Sequence, residues 1–288
     1  MKKKRILVLA AIALILLLGA WITWENLTLE VNDYTVESQR LPDGFDGFRI
    51  AQVSDLHNAS FGKNNETLLT LLRETQPDMI AITGDLVDSR KTDIPAALAF
   101  VEQAVKIAPC YYVTGNHEQR LSECAWLKQT LGELGVTVLE EESVQLHYRG
   151  DAITLLGVND PSFRTQYLLG DEAAAMAQTL EALPAGEGYT LLLSHRPEFF
   201  ELYVKAGFDL VLSGHAHGGQ FRLPFVGGVY VPSQGLFPEY DAGMFTQGTT
   251  SMIVSRGIGQ SIVPVRINNP PELVVIELKC EKTMWEIT

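Results

Sequence analysis

Short apolar runs recur along the chain, and each ends in a polar motif. Phe48–Val53 leads into Ser54-Asp55, Asp78–Thr83 into Gly84-Asp85, and Cys110–Thr114 into Gly115-Asn116-His117. Ile153–Val158 leads into Asn159-Asp160, Tyr189–Leu193 into Ser194-His195, and Asp209–Leu212 into Ser213-Gly214-His215. Runs this short, rich in Ile, Val, Leu and Tyr, predict buried strands. Between them the apolar spacing becomes helical. Asn65–Glu74 gathers Leu68, Leu69, Leu71 and Leu72, and Ile94–Lys106 carries Leu98, Val101 and Val105. Glu123–Leu134 and Glu172–Leu183 read the same way. Strands alternating with helices predict an α/β fold with a largely parallel, covered sheet. Ligands in such folds bind beyond the carboxyl ends of strands, where every one of these polar motifs falls.

The flanks read differently. Leu27–Glu37 alternates like a strand. Gln220–Gly243 is rich in Gly, Pro and aromatics and reads as a long ordered loop. Ser251–Arg256, Val263–Ile267 and Leu273–Lys279 are expected to be closing strands. Nothing resembles an interdomain linker. The expected organisation is a basic flank (1–5), an anchor (6–24), a juxtamembrane strand and connector (25–44) and one domain (45–288).

Ile6–Trp24 is an uncharged, mostly apolar run of 19 residues behind Lys2, Lys3, Lys4 and Arg5. As a helix it would be about 28 Å long, close to the roughly 30 Å hydrocarbon core. Trp21 and Trp24 stand where an interfacial anchor would sit, and the basic tetrad favours a cytoplasmic N-terminus with the domain outside. The run is long for a cleaved signal peptide, so it reads as a transmembrane signal anchor.

The chain has 288 residues and a net charge of −13, unevenly spread. From Glu25 onward 18 basic residues face 35 acidic ones, a net of −17. Such a domain should repel bulk nucleic acid, whose nonspecific binding needs Lys and Arg against phosphates. Cys110, Cys124 and Cys280 match no zinc pattern and read as buried thiols.

Five of the six histidines lie in the polar motifs: His57, His117, His195, His215 and His217. Only His147 stands apart, and it reads as a surface residue. Imidazoles mixed with carboxylates suit divalent transition metals better than calcium or magnesium. A dinuclear site needs a ligand shared by both ions, and Asp85, on a tight turn after Gly84, is the candidate. Asp55 and His57 project from one strand end, Asn116 offers an amide oxygen, and His215 and His217 can reach different ions. Asp88 and Glu118 read as structural acceptors bracing their turns. Asn159-Asp160-Pro161 reads as a turn, with a role at the rim of the site as the alternative.

These motifs resemble the calcineurin-like metallophosphoesterase superfamily, whose pattern is D-x-H, G-D-x-x-D, G-N-H-[DE], a lone H and G-H-x-H. Here they are Asp55-Leu56-His57, Gly84-Asp85-Leu86-Val87-Asp88, Gly115-Asn116-His117-Glu118, His195 and Gly214-His215-Ala216-His217. The resemblance spans roughly Phe45 to Leu278. Gly218-Gly219-Gln220, Gly235-Leu236-Phe237-Pro238 and Ser255-Arg256-Gly257-Ile258-Gly259 further resemble the bacterial membrane-associated phosphodiesterase branch.

The resemblance implies a four-layer α/β/β/α sandwich with a dinuclear site at the strand C-termini. It assigns Asp55, His57, Asp85 and His217 to one ion, and Asp85, Asn116, His195 and His215 to the other. The ions would be Mn, Fe or Zn, with a hydroxide between them attacking phosphorus in line. His117 would stay off the metals as a catalytic hydrogen-bond donor or acid. Arg256 is either a phosphate contact or a structural ion pair. Phe221, Leu223, Phe225, Phe237 and Tyr240 form either a local core under their loop or an apolar rim for a lipid-linked phosphoester. The expected activity is that of a membrane-anchored phosphodiesterase acting on a phosphodiester or pyrophosphate. A phosphomonoesterase or protein phosphatase, or a catalytically silent interaction module, is the alternative.

Overall fold

Alternation along the strands sorts their side chains between separate cores. The computed structural model describes residues 2–165, 171–183, 188–260 and 263–281. Met1 and residues 282–288, at the ends of the expected flank and domain, lie outside them. Helix α1 (Lys2–Leu27) leads into strands β1 (Glu30–Ser38) and β2 (Arg49–Val53). Then come α2 (Glu66–Glu74), β3 (Met79–Thr83), α3 (Ile94–Ala104), β4 (Cys110–Val113), α4 (Asn116–Gln119), α5 (Cys124–Glu133) and β5 (Thr137–Val138). The second half runs through β6 (Glu142–Tyr148), β7 (Asp151–Gly157), α6 (Ser162–Thr165), α7 (Glu172–Ala182), β8 (Thr190–Leu193), α8 (Phe200–Ala206) and β9 (Leu210–Ser213). Two short ribbons follow, β10 (Arg222–Leu223) with β11 (Gly227–Gly228), and β12 (Tyr230–Val231) with β13 (Gly235–Leu236). Strands β14 (Gly243–Gln247), β15 (Thr250–Val254) and β16 (Glu272–Cys280) close the fold.

Among the described residues two six-stranded sheets result, in the orders β1-β16-β2-β3-β4-β5 and β14-β15-β9-β8-β7-β6. Strands β2 to β5 run parallel, as do β15, β9, β8 and β7. In β2 and β3, Ala51, Val53, Ile80 and Ile82 pack under α2, α3 and α5, while Ile50, Met79 and Ala81 face the other sheet. In β8 and β9, Leu191, Leu193, Leu210 and Leu212 face inward, while Leu192 and Val211 pack under α7 and α8. Helices, sheet, sheet and helices are therefore separated by three apolar cores, the expected four-layer sandwich. Strands buried on both faces are mostly apolar, which explains the near-continuous runs in the sequence.

Buried Gln52 joins the sheets beneath the strand ends, its Nε2 donating to Thr83 Oγ1 (3.0 Å) and to the Ser213 carbonyl (2.8 Å). Cys110 and Cys124 are buried, and burial pushes their thiols up to about 12 and about 11.

Helix α1 is long and apolar enough to cross a membrane, and none of its apolar stretch is buried in the described chain. It runs on to Leu27, past the expected strand start, and β1 begins at Glu30. Val263–Ile267 is not a strand. Pro264 lacks an amide donor, and only Ile267 makes an isolated bridge, to Phe221. Edge strands β6 and β14 escape the apolar-run pattern because one face of each meets solvent.

Candidate metal centre

The loops after β2, β3, β4, β8 and β9 converge at one rim, where backbone strain is concentrated. Asp55, His57, Asp85, His215 and His217 all have positive φ, between 45° and 66°. Such conformations are costly for these residues and persist where surrounding bonds over-determine them. Asp55 donates its amide to the Gly84 carbonyl (3.1 Å), and His57 donates to that of Asp85 (3.0 Å). The Asp55 carboxylate accepts from Ser54 Oγ (2.6 Å) and the His215 amide (3.0 Å). Asp85 Oδ1 accepts from the His117 amide (2.8 Å). A Cβ on Gly84 would fall 2.7 Å from the Gly115 nitrogen and 2.7 Å from His195 Nδ1, so no side chain fits where the turns cross.

Asp55, His57 and His217 form one trio, and Asp85, His195 and His215 another, with ligand atoms inside each trio within 4.8 Å of one another. Asp85 Oδ2 links them, 3.5 Å from His57 Nε2 and 3.3 Å from His195 Nε2. His57 Nε2 and His217 Nε2 face each other at 3.1 Å. Two nitrogens each about 2.0–2.1 Å from a single ion are about 3 Å apart when they bind at right angles. Asn116 Oδ1, His195 Nε2 and His215 Nε2 are buried without a hydrogen-bond partner among the described residues. His195 Nδ1 meets the Thr83 carbonyl at 2.8 Å, which orients Nε2 toward the centre. Unpaired donor atoms converging around a shared carboxylate fit a pair of divalent transition-metal ions.

Burial and crowding separate the two carboxylates. Burial raises Asp55 to about 6. It pushes Asp85 the same way, but neighbouring imidazoles, His195 foremost, hold Asp85 well below the usual carboxylate range. Burial lowers His57 to about 4, leaving its ring neutral at neutral pH and fit to coordinate.

His117 lies beside both trios, its ring 4.4 Å from that of His57. The Ser89 amide donates to its Nδ1 (3.1 Å), so neutral His117 carries its proton on Nε2. Burial holds it below the ordinary histidine value. Asp88 joins His57 and His117 in a third trio, yet its carboxylate accepts from the Arg90 amide and guanidinium at 2.8–3.0 Å. Glu118 accepts from the amides of Asp85, Val87 and Gly115 at 2.8–3.1 Å and so braces two turns at once.

Arg256 bonds Glu272 (2.8 Å) and Glu30 (2.9 Å), the ion-pair arrangement of its two readings. His147 is exposed on β6. Asp160 is buried and pairs with Arg196 (2.5 Å). Arg196 was not evident from sequence, although it directly follows His195. With Arg90 and Arg120 it lines a cavity of about 530 Å³ that also contains His117, His215 and Ser233. Arg266 and Asn269 contact His217 and were missed from sequence, Arg266 because it lies inside the expected strand Val263–Ile267 and Asn269 because it follows that strand outside any motif. In the loop after His217, Leu223, Phe225, Val226, Leu236 and Phe237 are exposed, while Tyr240 packs on Phe200 and Phe245.

The family profile described as calcineurin-like phosphoesterase matches residues 48–219. YkuE of Bacillus subtilis, described as an uncharacterized metallophosphoesterase, is 30% identical over 262 residues, covering 87% of this chain and 86% of its own. The phosphodiesterase YaeI of Escherichia coli is 28% identical over 238 residues, 80% of this chain and 82% of its own. A transmembrane protein with a metallophosphoesterase domain from Danio rerio is 26% identical over 259 residues, 87% of this chain and 57% of its own. With the profile spanning most of the strand ends that build the centre, the chain belongs to the calcineurin-like metallophosphoesterases, a superfamily of metal-dependent phosphoester hydrolases.

Proposed function

We propose that the protein is a membrane-anchored phosphodiesterase with a dinuclear metal centre. The observation that carries this reading is Asp85 Oδ2, set between one histidine from each trio. Asp55, His57, Asp85 and His217 would hold one ion, and Asp85, Asn116, His195 and His215 the other. Bound divalent ions supply Lewis-acid polarisation of the phosphoryl group and lower the pKa of an attacking water. His117 presents Nε2–H, the proton-bearing atom suited to donate to a phosphoryl or leaving oxygen. Arg120 lines the cavity together with Arg90 and Arg196, whose charges are met by Asp88 and Asp160, so bound divalent ions would supply most of the positive charge that an anionic ester needs in an acidic domain.

The diester preference is supported by the likeness to YaeI. Anchoring is supported by α1 and by the likeness to the zebrafish transmembrane protein. In this reading residues 6–24 span the bilayer, 25–44 form a short connector ending in the first sheet, and 45–288 form the catalytic domain. The basic tetrad supports a catalytic domain on the extracytoplasmic side of the cell membrane. The exposed apolar side chains after His217 favour a lipid-linked phosphoester.

The test is turnover by the full chain in detergent, with Mn²⁺, Fe²⁺ or Zn²⁺ supplied. A chromogenic phosphodiester, its monoester and a short-chain lipid phosphodiester would be compared. Turnover of both diesters above the monoester is expected. Turnover of the monoester alone would replace the reading with a phosphomonoesterase, and none at all with a silent module.

A further inference from the structure

His217, Gly218, Gly219 and Gln220 all have positive φ: 48°, 62°, 72° and 62°. Four such residues in succession do not hold themselves in place. Asn269, fully buried, ties the two ends of this run together, its Nδ2 donating to the carbonyls of His217 (2.8 Å) and Gln220 (3.2 Å). Three residues earlier Arg266, also fully buried, donates to the carbonyls of Gly257 and Gly259 and lies 3.2 Å from His217 Nδ1. Gly259 in turn donates its amide to the Asp55 carbonyl (2.7 Å), and Ile258 donates to that of Ser54 (3.0 Å). The segment 266–269 therefore supports both Asp55 and His217, although neither Arg266 nor Asn269 is a candidate ligand.

The other side of this segment is held by the end of α1. Asn26 Nδ2 donates to the Arg266 carbonyl (2.8 Å), and Asn26 Oδ1 accepts from the Arg266 amide (2.8 Å). Glu25, the buried residue of α1, accepts from the Asn268 amide (2.8 Å). These bonds span about 240 positions of sequence. They also explain why the helix continues beyond its apolar run. A helix that served only as a tether has no need to engage the metal rim through three such bonds.

We propose that Asn269 and Arg266 are positioning residues for the Asp55–His57–His217 trio, and that Glu25 and Asn26 make the last turn of α1 part of their support. The end of the anchor then sets metal affinity at a centre it never touches. The physical reason is preorganisation. A ligand already held in a strained geometry loses less freedom on coordination, and its outer partners maintain that geometry. The inference rests on the dinuclear reading above.

The test is Mn²⁺ affinity of the full chain in detergent, read from the paramagnetic resonance signal of free Mn²⁺ rather than from activity. Asn269→Asp, which replaces the donor with a carboxylate facing two carbonyls, should weaken one binding step by roughly ten-fold or more. Asn26→Ala should weaken the same step several-fold. The double variant should fall short of the product of the two, because both act through one segment. Unchanged Mn²⁺ affinity in Asn26→Ala would overturn the proposal. Strictly multiplicative effects would overturn it too, as would a lower melting temperature at unchanged affinity, which marks a merely structural joint. If Asn26→Ala fails to fold, Glu25→Ala removes only the acceptor for Asn268 and puts the same question. A wild-type chain that binds none of Mn²⁺, Fe²⁺ or Zn²⁺ would overturn the metal reading itself, and this inference with it.

Discussion

At the strand ends Asp55, Asp85 and His195 have at most 2% of their surface exposed, whereas in the loop after His217 Phe225 is fully exposed and Phe237 is 59% exposed. Both regions contain non-glycine residues at positive φ: Asp55 and Asp85 in the first, Phe225 and Phe237 in the second. What differs is the bonding around them. Asp85 is held through its amide by Glu118 and through its carboxylate by the His117 amide. The loop is tied mainly by its backbone ribbons and by Asp241, which accepts from Arg222 (2.9 Å) and from the Gly228 amide. Chemistry that needs fixed donor atoms sits where hydrogen bonds over-determine the backbone. Apolar side chains left in solvent suit contact with a variable or fluid partner.

The contrast is broken most severely at Asp85. Asp85→Ala should remove the shared ligand, lose both ions by elemental analysis and drop turnover to background. An unchanged metal content would end the bridging assignment. His117→Ala should keep both ions yet lower kcat by about 10²–10⁴-fold. Full activity at saturating substrate would remove its catalytic role, and metal loss would make it a ligand.

Glu118→Ala tests the bracing itself. It leaves three amides without their acceptor in a buried setting, which should cost about 3 kcal/mol in denaturant unfolding. A change below about 0.5 kcal/mol would mean that the turns hold without it. The smallest effect belongs to the loop. Phe225→Ser with Phe237→Ser should leave stability within about 0.5–1 kcal/mol, because both rings are exposed. It should lower turnover of a lipid phosphodiester several-fold more than that of a small soluble diester. A clear loss of stability would instead restore the local-core reading.

Much of the layered fold was legible because buried strands are mostly apolar on both faces and each ends where its polar motif begins. Met79 to Ile82 and Leu191 to Leu193 carry that signal residue by residue. The helices over the sheets were legible from Leu68, Leu69 and Leu72 and from Val101, all of which are buried. The edges were not. β6 turns Glu142, Ser143, Gln145 and His147 to solvent, so its pattern resembles surface. The division into two sheets was not evident from periodicity either, since a strand's alternation does not say which neighbour lies across its face.

Sequence alone determined which residues stand at the rim, because residues placed directly after strands can only emerge at the strand ends. Tertiary structure decided how they are arranged and supported. Arg256, flanked by Ser255 and Gly257, read equally as a phosphate contact or a structural ion pair, and it meets Glu272 and Glu30. Arg266, inside an apparent strand, reaches His217 instead. Asp85 stands between two histidines that lie 138 residues apart in sequence. Local patterns report what a residue's near neighbours allow. These partners are brought together only when the two sheets pack and the end of α1 docks on the rim.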